Sequence, residues 1–328
     1  MLGFTQKTVE RQIFIPSKTG DPQGFDNYFG QDAIKRRLLL RLSAMDPDHQ
    51  LKALFYAPFG YGKTALARAL AHEMFRIELI DHYKETIGTN FMNKADVDEF
   101  ILSLKPYTLV FIDEIHTLPS GPRESFYTAI QDNVHVFQRQ HKMVKLPVGI
   151  SWVGATTELG QVHPSLQRRL IPINLEPLTQ IELANIVVNQ RVPVTDAAAV
   201  FMAKRSSSPW EIKDEVYSTA EDIVVSRKLK EVSEDIAKEG CEILQIDEQG
   251  LRPQERRILD TLFKSPKVIG GNHSFAMART PLISISGVDA ETYNNHTEPK
   301  LMRLGLIRVS SAGRELTGKA LDLYYESA

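Results

Sequence analysis

Residues 57–64 read Ala-Pro-Phe-Gly-Tyr-Gly-Lys-Thr and lie between an apolar run, residues 53–56, and a segment with Leu66, Ala69, Leu70 and Met74 at helical intervals. Glycines in such a loop let backbone N–H groups curl around phosphate oxygens, and the N-terminus of the following helix adds a favourable field. Gly60, Tyr61, Gly62, Lys63, Thr64 and Ala65 are the candidate phosphate-binding residues. Lys63 would reach the β- and γ-phosphates of ATP, and Thr64 would offer its hydroxyl to Mg²⁺. A strict phosphate loop opens with glycine, whereas this one opens with Ala57.

A second apolar run, residues 108–112, ends in Asp113 and Glu114. A buried strand has little reason to finish in two adjacent acids unless a cation or a proton transfer awaits them. Asp113 suits a metal, directly or through water, and Glu114 suits a base that polarises an attacking water. A third run, residues 150–154, leads to Thr156 and Thr157, whose hydroxyls could orient water or sense a phosphate; they are also ordinary strand-end residues. Arg168 and Arg169 follow a turn containing Pro164. A guanidinium aimed at a neighbouring subunit's γ-phosphate stabilises transition-state charge, although adjacent arginines are often a solvated edge. Loop and acids together indicate ATP hydrolysis.

These groups need a scaffold. Apolar strands separated by helical stretches predict a parallel sheet covered on both faces. At 328 residues the chain suits two or three domains. Residues 1–24, with Pro16, Gly20, Pro22 and Gly24, read as an N-terminal arm, and residues 25–177 as the large α/β domain. Residues 178–244 carry helical spacing with almost no strand signal and predict a small helical domain. Residues 245–328 predict a third unit: a helix over 253–263, an irregular stretch near Gly270 and Gly271, a helix near 291–304 and a terminal hairpin. Apolar residues make up 42% of the chain and charged residues 24%, the net charge is −2, and no run approaches the roughly 18 apolar residues of a membrane span. No signal-like apolar block opens the chain, so the cytoplasm is the expected compartment. The lone cysteine, Cys241, makes neither an internal disulfide nor a zinc site and reads as a small buried hydrophobe.

The motifs in this order, with residues 27–31 (NYFGQ), 109–116 (LVFIDEIH), 154–157 (GATT) and 166–169 (LQRR), resemble the RuvB family of AAA+ ATPases, the motors of Holliday-junction branch migration. The likeness covers roughly residues 25–325. It implies an AAA+ P-loop ATPase domain, a helical lid and a C-terminal winged helix that binds DNA. By that resemblance Tyr28 and Phe29 lie near the nucleotide base and Pro209 of the lid closes over it. Thr157, with Thr156 as the alternative, is the first phosphate sensor, and Arg169 is the arginine finger. The resemblance also implies a homo-oligomer, a ring of six, acting as a helicase on duplex or four-way-junction DNA in recombination and repair.

Two departures stand out. The family's lid carries an arginine after a Thr-Pro pair; here Ser207, Ser208 and Pro209 precede Trp210, a packing residue, and Lys213 is the nearest replacement cation. The hairpin expected over residues 133–147 is shorter than the family's, which grips the junction-binding partner RuvA. With its basic tip at residues 138–142 it could hold a RuvA-like protein, hold DNA, or only cap the sheet. Residues 250–328 hold 11 Lys and Arg against 8 Asp and Glu, a difference of +3. Lys300, Arg303, Arg308 and Arg314, the last matching the family's wing arginine, are the candidate DNA contacts. His116 reads as structural. A rival reading is a regulatory, loading or remodelling ATPase that switches assemblies without moving along DNA.

Overall fold

The computed structural model describes residues 14–15, 22–46, 50–137, 142–265, 267–269 and 272–325. Most of the expected arm, the hairpin tip at 138–141, and Gly270 and Gly271 lie outside the described residues. The chain divides into two compact units, residues 1–57 with 62–176, and residues 58–61 with 177–328.

In chain order the first unit contains α1 (Asp32–Ser43), β1 (Lys52–Tyr56), α2 (Lys63–Arg76), β2 (His82–Ile87), α3 (Lys94–Leu102), β3 (Thr108–Asp113), α4 (Ser120–Asp132), β4 (Val134–Phe137), β5 (Lys142–Lys145), β6 (Ser151–Thr156), α5 (Pro164–Gln167) and β7 (Ile171–Asn174). The five-stranded sheet runs β2-β3-β6-β1-β7, with every pairing parallel. β3 and β6, in its interior, are near-continuous apolar runs because both faces are covered; every residue of β6 is buried. β4 and β5 form a separate antiparallel hairpin. One side of the core centres on Phe126 of α4, fully buried, edge-on to Phe91 at 4.8 Å and to both Phe100 and Trp152 at 6.0 Å. α3 begins in a capping box, with Asn93 accepting from the Ala95 and Asp96 amides while Asp96 accepts from Asn93.

The second unit opens with α6 (Gln180–Val188) and α7 (Asp196–Arg205). A π-helical turn, Glu211–Tyr217, then runs into α8 (Ser218–Ser226), and α9 (Glu234–Ile243) follows. Their shared core includes Val187, Met202, Ile212, Val216 and Cys241. Burial pushes the Cys241 thiol up to about 11, as suits a packed residue. Next come α10 (Pro253–Phe263), β8 (Lys267–Ile269), β9 (Asn272–Ser274), β10 (Ala276–Met277), α11 (Arg279–Ser286), α12 (Ala290–Thr292), α13 (Glu298–Arg303), β11 (Ile307–Ser310), β12 (Gly313–Leu316) and α14 (Gly318–Tyr325). A separate core unites Ile258, Leu262, Leu282, Tyr293 and Leu301, and β10-β12-β11 form an antiparallel sheet. Gly313 holds φ at +116° and passes so close to the Met277 carbonyl that a Cβ would sit 2.2 Å from its oxygen. Helices followed by this hairpin make a winged helix. No helix among the described residues is long and apolar enough to cross a membrane.

Ion pairs join the two cores of this second unit. Lys300, 6% exposed, places Nζ 2.5 Å from Glu211 Oε1 and 3.4 Å from Glu255 Oε1. Arg252 pairs with Glu215. Burial alone would raise the Glu211 carboxyl; the charge of Lys300, with hydrogen bonds from Lys300 and Ser207, outweighs it and holds the group below its ordinary range.

Two predictions follow from the packing. Phe126→Ala should cost about 3–5 kcal/mol, as deletion of a fully buried aromatic does, read from the denaturation midpoint of the first unit. For Glu211, the depressed folded value means that its stabilisation is complete above the unfolded carboxylate value of about 4.3 and is lost as pH falls through the folded one. The wild-type melting temperature of the second unit should therefore drop between pH 5 and pH 3 more steeply than that of Glu211→Gln, which starts lower at pH 7. Parallel curves for the two proteins would remove Glu211 from the acid response.

Candidate active site

Three strands of the sheet's interior end side by side, and their registers set the site. Tyr56 of β1 pairs with Thr156 of β6, and Ile112 of β3 pairs with Gly154. The phosphate loop, the two acids and the two threonines are thereby brought to the carboxyl ends of adjacent parallel strands, where ligands of open α/β sheets bind.

The loop turns through Gly60 at φ +80° and Gly62 at φ +85°, left-handed conformations that favour glycine. Gly62 is the N-cap of α2, so unpaired helix amides face the loop. Ala57 needs no glycine: its φ is not positive, its amide donates to the Thr156 carbonyl at 3.3 Å, and its own carbonyl accepts from Lys63 Nζ at 2.9 Å. Lys63 is 7% exposed; burial lowers its basicity, against the raising pull of Glu114 and Asp113. Tyr28 is buried, which raises its phenol, and its hydroxyl lies 3.5 Å from the Gly62 carbonyl while Phe29 is half-buried beside it in sequence. Tyr28 is thus brought to the loop.

Thr64 Oγ1 donates to Asp113 Oδ2 at 2.9 Å, and the Glu114 amide donates to Asp113 Oδ1 at 2.9 Å. Burial holds the Asp113 carboxyl above its usual range, with Glu114 adding to it and Thr64, the Glu114 amide and Lys63 pulling the other way. Asp113 and Thr64 give a hard-oxygen pair at the entrance of a helix, a donor set that fits Mg²⁺. Glu114 Oε2 accepts from the Thr157 amide at 3.2 Å and from Thr157 Oγ1 at 3.1 Å. Of the two threonines, Thr157 therefore holds the second acid, while Thr156, fully buried, contacts His116 Nδ1 at 3.0 Å. The contact of His116 with this group was not legible in its sequence position; only its place two residues after Glu114, in the turn Ile115–Thr117, hinted at it.

The other candidates have partners of their own. Arg169 donates from Nη1 to the Ser165 carbonyl at 2.7 Å and from Nη2 to the Tyr127 hydroxyl, and its guanidinium lies 3.6 Å from the centre of the Tyr127 ring. None of these partners belongs to the phosphate loop. Arg169 lines an open pocket with Tyr127, Gln131, His163 and Arg168, and its buried Nε has no hydrogen-bond partner among the described residues. Pro209 belongs to the second unit, as do residues 58–61 of the loop. There the Trp210 amide donates to the Gly60 carbonyl at 3.1 Å, and the Phe59 ring meets Trp210 edge-on at 5.3 Å and His296 at 4.8 Å. Trp210 packs, as expected.

The candidate DNA face needs correction. Lys300 is buried and its ammonium is committed to Glu211 and Glu255, so it cannot offer a phosphate contact. Arg303 is half-buried, donating to the Tyr61 hydroxyl at 2.8 Å and to Ser207 Oγ. Arg314 is paired with Glu298 at 2.5 Å and is 20% exposed. Arg308 alone of the four is open, 66% exposed, on the wing beside Glu315. A local count of charges could not foresee pairing across 89 residues.

The family model for the Holliday junction DNA helicase RuvB P-loop domain matches residues 21–174, and that for the RuvB C-terminal winged helix domain matches residues 248–325. A Holliday junction branch migration complex subunit RuvB from Thermotoga maritima is 31% identical over 325 residues, covering 93% of this chain and 92% of its own length. The corresponding subunit from Microcystis aeruginosa is 28% identical over 317 residues, covering 92% and 84%. The solved structure of the T. maritima RuvB Holliday junction branch migration motor superposes with a TM-score of 0.76 at 29% identity, covering 93% of this chain and 98% of that one. On these matches the chain belongs to the RuvB family of P-loop ATPases.

Proposed function

We propose that the chain is an ATP-driven motor that migrates the branch point of four-way-junction DNA. The observation that carries this reading is the bonded series Thr64–Asp113–Glu114–Thr157 at the sheet's carboxyl edge, in a chain of the RuvB family. Lys63 and the loop amides hold the ATP phosphates, and Tyr28 and Phe29 lie toward the base. Thr64 and Asp113 hold Mg²⁺, which supplies charge neutralisation of the phosphates. Glu114 accepts the proton of the attacking water, and Thr157 orients the carboxylate and senses the γ-phosphate. Phosphoryl transfer depends chiefly on such positioning and on charge stabilisation.

Arg169 serves the site of a neighbouring subunit. Its partners Ser165 and Tyr127 lie outside the phosphate loop and it lines an open pocket, which supports that role, and turnover then requires a ring, taken as six copies. The winged helix contacts duplex phosphates through Arg308 rather than through Lys300. The β4–β5 hairpin, with Val136 and Met143 exposed, suits a RuvA-like partner. The cytoplasm is the compartment in which such a motor meets DNA.

Lys63→Ala should abolish nucleotide binding in a titration, whereas Glu114→Gln should bind ATP normally and lose at least about a hundredfold in turnover, the scale of losing a general base. Full turnover by either variant would sink the assignment. Steady-state ATP hydrolysis should rise with four-way-junction DNA more than with linear duplex, and the stimulation should weaken with salt as phosphate contacts are screened. Hydrolysis indifferent to every DNA, with no branch migration by the purified protein, would instead favour a loading or switching ATPase.

A further inference from the structure

We propose that His116 is a positioning residue for Glu114, donating from Nδ1 to the carboxylate and holding it against the end of β6. The inference rests on the reading of Glu114 as the base that accepts a proton from water.

His116 Nδ1 lies 3.2 Å from Glu114 Oε2 and 3.0 Å from Thr156 Oγ1. A carboxylate can only accept, so the first contact is attractive only when the proton is on Nδ1. Oε2 accepts from the Thr157 amide and the Thr157 hydroxyl, and the imidazole Nδ1 lies 3.2 Å from the same oxygen. Two hydrogen bonds and this contact set the plane and rotamer of the side chain. The Thr156 hydroxyl oxygen also accepts from the Glu158 amide at 3.0 Å, so this oxygen is itself pinned and sets the position of the ring.

The backbone supports the same assignment. Glu114 adopts φ 44° and ψ 49°, a left-handed conformation costly for a residue with a side chain. The Thr117 hydroxyl donates to the Glu114 carbonyl at 2.8 Å and so fixes the turn. Ile115 is 1% exposed and presses on Gly154, where a Cβ would sit 2.9 Å from its Cδ1. With residues 115 and 117 both anchored, the ring between them is held beside the acid. His116 itself is 12% exposed at its side chain and contacts Glu114 and Thr156, neither of them in the phosphate loop.

Removing the ring should therefore reduce kcat while leaving nucleotide affinity and KM for ATP in place. His116→Phe should lower kcat about tenfold, less than the loss of a general base. His116→Asn should restore at least half of the wild-type kcat, because the asparagine amide can place an N–H donor near the position of Nδ1. Both variants would be compared by melting temperature, and kinetics read only on protein that melts as the wild type does. Equal kcat for the Asn and Phe variants, a loss expressed in KM instead, or a Phe variant within twofold of wild type would overturn the proposal. Glu114→Gln, run alongside, separates the two readings. If it is inactive while His116→Phe is unimpaired, only the role of His116 falls; if Glu114→Gln remains active, the reading of Glu114 as the base falls with it.

Discussion

The fold turns on the need to satisfy two carboxylates at the end of a strand that is otherwise dry. β3 is buried from Thr108 to Ile112 and then delivers Asp113 and Glu114 together. Each acid is met by a different element: Thr64 from α2 bonds Asp113, and Thr157 beyond β6 bonds Glu114. An unpaired charge in that setting would carry a large desolvation cost. The order of strands is what makes the pairing possible, since β3 lies beside β6, and β6 lies beside β1, whose loop opens α2. The demand extends one strand further. Glu114 turns left-handed to present its side chain, and the end of β2 closes on that turn at Gly88, where a Cβ would lie 2.6 Å from the Glu114 carbonyl oxygen and 2.4 Å from Thr117 Oγ1. Glycine at position 88 answers to the backbone of the turn that carries Glu114.

In the second unit the same rule is answered differently. Trp210 follows Ser207, Ser208 and Pro209, and its surroundings are closed by an aromatic contact with Phe59 and by Arg303, which bridges Tyr61 and Ser207. Lys300, one helical turn before Arg303 in α13, is buried between Glu211 and Glu255. The winged helix therefore spends part of its basic excess on holding itself to the preceding helices. A difference of +3 over residues 250–328 describes composition, while the charge that DNA can meet is set by which of these cations remain unburied. Removing one partner of such a buried pair strands the other charge, which is why its loss is costly.

Much of the site was legible because its residues are contiguous. The phosphate loop, the acids and the threonines each occupy one strand end, and a long apolar run followed by polar chemistry is a pattern that sequence carries openly. The apolar interiors of β1, β3 and β6, and the helix Pro253–Phe263, were found for that reason. The strands that escaped notice lie at the two edges of the sheet. β2 reads His-Tyr-Lys-Glu-Thr-Ile, with no fully buried residue, and β7 carries Pro172, which an edge position tolerates. α11 was hidden by Pro281 and by Ile283 and Ile285, which weaken a helical reading until Leu282 is seen in the core. Long-range partners were the least accessible. Nothing near Lys300 in sequence indicates Glu211, and nothing in the run Asp-Glu-Ile-His states that the imidazole returns to the acid two residues earlier.

Charge also bears on the proposal that this site takes a nucleotide together with a cation. Asp113 and Glu114 carry two negative charges against the single positive charge of Lys63, and burial already holds the Asp113 carboxyl above its ordinary range. A polyphosphate brought alone would meet the favourable amides of the loop and of α2, yet would also face that local excess of negative charge. In the proposed function a divalent cation held by Asp113 would offset that repulsion, so that the acid would favour a metal-bound polyphosphate over a bare one. Thr64 stands at the junction of the two requirements, because it begins α2 and bonds Asp113 with the same side chain. The spacing of lysine and threonine at the head of the helix is thus tied to the acid at the end of β3. A chain that kept the loop and lost the acid would retain an anion-binding helix end but not the charge balance that selects a metal-bound triphosphate.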